Sequence, residues 1–322
     1  MHLCFLPTGE LSGYLTMKSP APVALFVYNR PVHTEKTVQA LLRNKYANES
    51  EVYVFSDGPK YKGDEKAVEQ VRQYIRDISG FKKLVLIERE KNYGLAKNIV
   101  EGVSEIINKH KRVIVIEDDL VTSPFFLKFM NEALDFYSEK KDVWHISGWN
   151  YPIDHQNLNH KDTFLWRVMN CWGWATWEDR WRHYKKDPDY FISTFSKKDI
   201  KKFDLDGAAS FWRQILDNKT GRIDTWAIFW YATIFANRGL CLNPVKSYVE
   251  NIGLDGSGVH CKEGDLFTNR QTLNFEQNVR FPDKIVENEY VVELVKKFLR
   301  SEKRSVAKKL LNKISRYTGF FR

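Results

Sequence analysis

The sequence predicts an α/β fold with a mostly parallel central sheet flanked by helices. Two observations predict it. Between residues 20 and 140, apolar runs of strand length alternate four times with segments of helical spacing; strands joined by crossover helices produce this pattern. Each apolar run also ends on polar residues, at the edge where ligands collect in such sheets.

The elements follow in order. "PVALFVYN" (22–29) is a strand, and Pro31 opens a helix over "VHTEKTVQALLRN". Proline suits a first helical turn because its missing N–H would have no partner there. "EVYVFSD" (51–57) is a second strand, closed by Gly58-Pro59, and "GDEKAVEQVRQYIRDI" is a helix with acids in its first turn. "KLVLIE" (83–88) and "RVIVIE" (112–117) are the third and fourth strands, separated by a helix over 94–110. "SPFFLKFMNEALDFYSEK" is the fourth helix. Beyond residue 141 the pattern becomes irregular. "DVWHISG" suits a strand, "TWAIFWYATIFANRG" a buried helix ending at Gly239, and Ile200 to Asn218 one or two helices. The tryptophans Trp166, Trp172, Trp174 and Trp177 suit either core packing or a wall for a sugar ring, and His145 suits a structural role.

Composition narrows the function. The chain has 322 residues, is 43% hydrophobic and carries a formal net charge of +9. From Val292 to Arg322 ten Lys/Arg face two acids, so this tail supplies +8 and the body is nearly neutral. A basic nucleic-acid channel through the body is thereby disfavoured, whereas a local contact with an anionic membrane suits the tail. Leu294, Phe298, Val306, Leu310, Leu311 and Ile314 give the tail an amphipathic helical pattern. Cys4, Cys171, Cys241 and Cys261 form no CxxC pair, which argues against a zinc knuckle and for a reducing compartment. No secretion signal and no run long enough to cross a bilayer is read, and Met17 is a candidate natural start.

Chemistry concentrates at the strand ends. Glu117-Asp118-Asp119 terminates the fourth strand. Carboxylates there suit Mg²⁺ or Mn²⁺, which prefer oxygen ligands and bridge to phosphate; a solvated turn is the plain alternative. Alternation along an extended chain would send Glu117 and Asp119 to one side and Asp118 to the other. Arg30 can pair with phosphate. Asp57 can accept from a base N–H or a ribose, or simply serve a turn. Asn92-Tyr93-Gly94 precedes a helix, where free N–H groups favour an anion or a cap. Asp224, in "RIDTW", suits a helix cap or a general base. Glu178 and Asp179 suit a substrate hydroxyl or a helix start. "GLDGSGVH" is no dinucleotide fingerprint and no GxxxxGK[ST] loop exists.

Seven stretches, in order, carry a resemblance: "FVYNRP", "VFSDGP", "NYGLAKNI", "VIVIEDDLVTSPFFLKFM", "CWGWATW", "RIDTW" and "GLCLNPVKSYVENIGLDGSGVH", over roughly 22–262. The chain resembles GT-A class nucleotide-sugar glycosyltransferases, nearest the branch of N-acetylglucosaminyltransferase I and its bacterial relatives. The resemblance implies a donor, UDP-linked, with Arg30 near its diphosphate and Asp57 reading the uracil edge. It implies that Glu117 and Asp118 touch sugar and ribose, that Asp119 binds Mn²⁺, and that Asp224 is the base of an inverting transfer. The family often has two acids at that last place, whereas here Thr225 follows. His260 resembles a late residue closing over the diphosphate or metal. The implied organisation is a nucleotide-sugar half at 20–140, an acceptor-binding half of the same domain at 141–290 and the basic tail at 291–322. The implied acceptor is a glycan or lipid-linked glycan, handled in the cytoplasm or at the inner face of a bacterial membrane during surface polysaccharide synthesis. Two alternatives remain. A sugar-phosphate nucleotidyltransferase would want a glycine-rich loop where Asn29-Arg30-Pro31 stands, and a noncatalytic glycan-binding protein would not need the intact acidic set.

Overall fold

The structure is a computed structural model that describes residues 19–154, 158, 162–255 and 273–318. The first half runs β1 (Val23–Val27), α1 (Pro31–Leu42), β2 (Glu51–Ser56), α2 (Glu65–Arg76), β3 (Lys83–Glu88), α3 (Leu95–His110), β4 (Arg112–Glu117), β5 (Leu120–Thr122) and α4 (Phe126–Phe136). The second half runs β6 (Val143–Ser147), β7 (Thr163–Trp166), β8 (Trp174–Trp177), α5 (Glu178–Trp181), α6 (Pro188–Thr194), α7 (Lys197–Phe203) and α8 (Phe211–Lys219). It closes with α9 (Ala227–Ala236), β9 (Leu240–Pro244), β10 (Val249–Asn251) and α10 (Glu289–Thr318).

Eight strands form one sheet in the order β3-β2-β1-β4-β8-β6-β9-β7, and β5 pairs with β10 beside it. The pairs β3–β2, β2–β1, β1–β4 and β6–β9 are parallel, while β8 and β7 run against their neighbours. Six of the eight strands therefore point the same way, as the alternating pattern predicts. β1 is buried at all five positions, the burial expected of a central strand covered on both faces. Each fully buried Val, Leu or Phe there contributes about 1.5–3 kcal/mol.

Register places the site. Phe26 lies opposite Glu117, Val27 opposite Ser56, and Ser56 opposite Glu88. The carboxyl ends of the four parallel strands are thus level, and the residues that follow share one edge. α1 begins at once because Pro31 sits in its first turn, with Thr34 N–H donating to the Arg30 carbonyl at 3.0 Å. α3 begins after Gly94, whose φ of +75° suits glycine.

The irregular half holds more sheet than its sequence suggests. "CWGWATW" contributes β8, which lies antiparallel between β4 and β6. Trp166, Trp174 and Trp177 are buried, so core packing accounts for them. Glu178 and Asp179 begin α5, where Asp179 pairs with Arg180 and Lys141. Arg180 is buried and donates to the carbonyls of Tyr137, Ser138 and Val143, closing the end of α4. The segment 273–288 straps across both halves. Asn274 N–H donates to the Ser247 carbonyl, the Tyr137 hydroxyl donates to the Pro282 carbonyl, and Arg167 grips Glu287.

His145 on β6 is fully buried. Its Nε2 lies 3.0 Å from the Asn170 carbonyl and its Nδ1 lies 3.2 Å from Trp230 Nε1. The indole can only donate, so Nδ1 accepts and Nε2 carries the proton toward the carbonyl. The ring stacks on Trp174 at 5.4 Å. Burial pushes its pKa down to about 3, against a small upward pull from the Asn170 carbonyl. The unfolded chain therefore takes up this proton near pH 6.5 and the fold refuses it until about 3. The stability linked to His145 is complete above pH 6.5 and is lost as pH falls through that window. Between pH 7 and pH 4 the loss should reach about 3 kcal/mol. Urea denaturation at both pH values checks this. His145→Gln should be less stable than the parent at pH 7 yet lose less on acidification.

Candidate functional site

The site forms where the level strand ends meet the β5–β10 pair. β4 stops at Glu117, and Asp118 and Asp119 occupy a turn before β5. The expected alternation of the three acids therefore ends at Glu117. Both aspartates turn to one guanidinium instead: Arg30 Nη2 makes a short ion pair with Asp118 Oδ1 and lies 3.0 Å from Asp119 Oδ2. Further bonds fix the turn. Thr37 Oγ1 donates to the Asp118 carbonyl at 2.8 Å, and Ile252 N–H donates to the Asp119 carbonyl at 2.8 Å. α1 and the chain after β10 thereby hold the aspartates from two directions.

Gly253 closes the arrangement. A Cβ there would stand 2.2 Å from Asp119 Oδ2 and 2.9 Å from Arg30 Nη1. The residue is glycine because the backbone passes directly over the ion pair. Nothing but the spacing of "ENIGLDG" marks this in the sequence, and the sequence reading overlooked it.

Charge in the site does not balance. Three adjacent carboxylates face one guanidinium, leaving two negative charges in excess when all are ionised. The Glu117 carboxylate makes no hydrogen bond among the described residues. Burial, then Asp119 and Asp118, push its pKa up to about 8, although Arg30 pulls it down. Asp118 is also raised, because burial outweighs the stabilisation from Arg30. Burial alone would lower Arg30, but the two aspartates hold it above its usual range. Arg30 Nη1 is buried without a hydrogen-bond partner among the described residues, a costly condition for a charged donor.

These features fit a divalent cation. Asp119 keeps one carboxylate oxygen without a hydrogen bond among the described residues, and a cation would offset the excess negative charge. Among the described residues no group of three or more His, Cys, Asp or Glu side chains could hold a metal ion. The fit is therefore to an ion held by Asp119 that takes further oxygens from phosphate, a pattern common for Mg²⁺.

Asp57 has a different environment. It accepts from Gly58 N–H (2.9 Å), Tyr93 N–H (2.7 Å), Gly94 N–H (3.0 Å) and Asn92 Nδ2 (3.1 Å). Four donors occupy both carboxylate oxygens, the full capacity of the group. The free N–H groups before α3 do find an anion, and that anion is Asp57. Asn92 Nδ2 also donates to the Gly58 carbonyl at 2.8 Å, so its amide ties two loops together. Reading a base N–H with Asp57 would require giving up one of these bonds. Next to it, Asp64 accepts from the Tyr28 hydroxyl at 2.7 Å and from Asn29 Nδ2 at 3.1 Å, anchoring the loop after β2 over the end of β1.

Asp224 lies between α8 and α9, with its side chain 72% exposed and in a short ion pair with Lys186. It does not cap α9, whose N-cap is Trp226 and has no side-chain capping bond. Trp226 stacks on Trp174 at 5.1 Å, and Trp174 lies opposite Val115 on β4, two residues before Glu117. The tryptophan pair thus ties the residues that follow Asp224 to β8. Asn218 and Thr225 exchange two bonds of 3.0 Å that brace this loop. His260 lies outside the described residues.

Comparison with known proteins bears on the half that builds this site. Residues 20–149 match glycosyltransferase like family 2. The match spans β1 to β6, including the Arg30–Asp118–Asp119 cluster; it names the broad family and not the narrower branch suggested by the sequence. No curated protein matches the sequence. Among solved structures, the mannosyltransferase PcManGT from Pyrobaculum calidifontis in complex with GDP-Man and Mn²⁺ is 13% identical, with a TM-score of 0.38 over 68% of this chain and 71% of that one. The galactosyltransferase LgtC with donor and acceptor sugar analogs is 10% identical, with a TM-score of 0.36 over 66% and 70%. S. aureus TarS is 14% identical, with a TM-score of 0.39 over 75% of this chain and 41% of that one. At these scores the likenesses carry no argument about chemistry.

Gly253→Ala should force Asp119 away from Arg30. Overpacking of this kind costs about 1–3 kcal/mol, and chemical denaturation should find the loss near the upper end, because one of the contacts is a charged pair.

Proposed function

We propose that the protein transfers a glycosyl group from a nucleoside diphosphate sugar, UDP-linked, to a hydroxyl of a glycan or lipid-linked glycan. The transfer uses Mn²⁺ or Mg²⁺ and inverts the anomeric carbon. One observation carries this reading: the uncompensated negative charge around Asp119 at the level ends of four parallel strands, within the segment that matches a glycosyltransferase family.

Asp119 would hold the cation through its free oxygen. When bound, the ion would supply Lewis-acid compensation of the diphosphate charge as the nucleotide leaves. Arg30 would bring Nη1, its unpartnered nitrogen, to a phosphate oxygen while Nη2 stays with the aspartates. Glu117, whose pKa is raised by burial and by Asp119 and Asp118, and Asp118 would meet a sugar or ribose hydroxyl. Asp57 and Asn92 would order the rim at the uracil, with Asp57 exchanging one backbone donor for the base N–H.

Asp224 would accept the proton of the acceptor hydroxyl as it attacks in line from the far face of the sugar, which requires approach to about 3 Å. Its exposure leaves it open to an acceptor, and Lys186 would have to yield. On the stretches quoted above, we place the chain nearest the N-acetylglucosaminyltransferase I-like branch. We place the reaction at the inner face of a bacterial membrane, in surface polysaccharide synthesis.

Purified protein offered UDP-, GDP- and dTDP-sugars with Mn²⁺ should release nucleotide from one series and gain thermal protection from the same donor. Asp119→Ala should lose both responses. Asp224→Ala should keep the protection and lose at least 10²-fold in transfer, a typical loss when a general base is removed. Normal transfer by Asp224→Ala would remove the base assignment.

A further inference from the structure

α10 runs unbroken from Glu289 to Thr318, 30 residues. Its first half docks on the body. Val291, Val292 and Val295 are buried, Lys296 pairs with Asp206 and Glu293, and Lys303 Nζ donates to the Gly207 carbonyl at 3.1 Å. The helix then continues for fifteen residues, and its sequence changes character. From Lys303 to Thr318 there are six Lys/Arg and no acid.

The pattern along this stretch is two-sided. At 100° per residue, Val306, Ala307, Leu310, Leu311, Ile314 and Tyr317 fall within an arc of about 140°. Arg304, Lys308, Lys309, Lys313 and Arg316 fall on the remainder of the circumference, flanking the arc on both sides. At 1.5 Å per residue the stretch is about 24 Å long. Among the described residues no helix is long and apolar enough to cross a membrane.

We propose that residues 304–318 of α10 form an element that lies on an anionic lipid surface, with the apolar arc at the acyl boundary and the flanking lysines and arginines among the headgroups. Charge selects this occupant. A second copy of this stretch would bring five like charges against five and no acid to pair them. A neutral apolar partner would leave the flanking cations without a role. The docked first half would hold the body beside the surface. This deepens the membrane placement given above, and its test involves no sugar transfer, so either reading can fail alone.

The probe is vesicles of phosphatidylcholine alone or with about one third phosphatidylglycerol, floated with the full chain at low and physiological salt. Binding should require the anionic lipid and weaken at least tenfold with added salt. Lys308→Glu/Lys309→Glu/Lys313→Glu and Leu310→Ser/Leu311→Ser should each cut binding at least tenfold. Both should keep the parent melting temperature and the parent nucleotide-sugar protection. Equal binding to both vesicle types, no binding at low salt, or unchanged binding by both variants would overturn the proposal. So would a dimer in light scattering that disappears in the Leu310→Ser/Leu311→Ser chain.

Discussion

One guanidinium shared between two aspartates organises the site. Arg30 reaches Asp118 and Asp119 from the loop between β1 and α1, so the ends of β1 and β4 become one unit. The turn after β4 could not otherwise keep three carboxylates together at low exposure, because burying unpaired charge is costly. The neutralisation is partial, and burial, with Asp119 and Asp118 alongside, raises the pKa of Glu117. The same reasoning explains the bare backbone above it. Gly253 leaves room for oxygen and nitrogen where any side chain would occupy it.

The parallel half of the fold was legible because its signals are local. Branched apolar runs, Pro31 in a first helical turn and a polar residue after each strand all act within a few positions, and the four strands appear where the periodicity puts them. β8 and the β5–β10 pair were not legible as such. β8 is four residues long and half tryptophan, a composition that buried helices share, and only its neighbours β4 and β6 decide its state. β5 and β10 are three residues each and exist through one another, 127 residues apart at the Thr122–Val249 pairing.

The site divides along the same line. The positions of Arg30 and the three acids followed from strand ends, but their pairing did not, since alternation fails once the chain turns. Asp57 and Asn92 were found for a plausible reason that the structure redirects: the N–H groups before α3 are met by Asp57 itself. Asp224 was distinguishable from a helix cap only in three dimensions. Its neighbour Trp226 ties it to the sheet through Trp174, a contact across 52 residues that no local pattern announces.

The placement of β8 has a consequence for how such a protein could diversify. This strand comes from the later half of the sequence, yet it is inserted between β4 and β6, so the sheet passes from one half to the other without a seam. Cleaving the chain near residue 141 would strip β4 of its partner and leave a long apolar edge open to self-association. The later half therefore cannot be exchanged as a cassette. New preferences would have to arise in the connections that leave the sheet, such as the stretch from Tyr184 to Trp226, while the strands beneath them stay fixed.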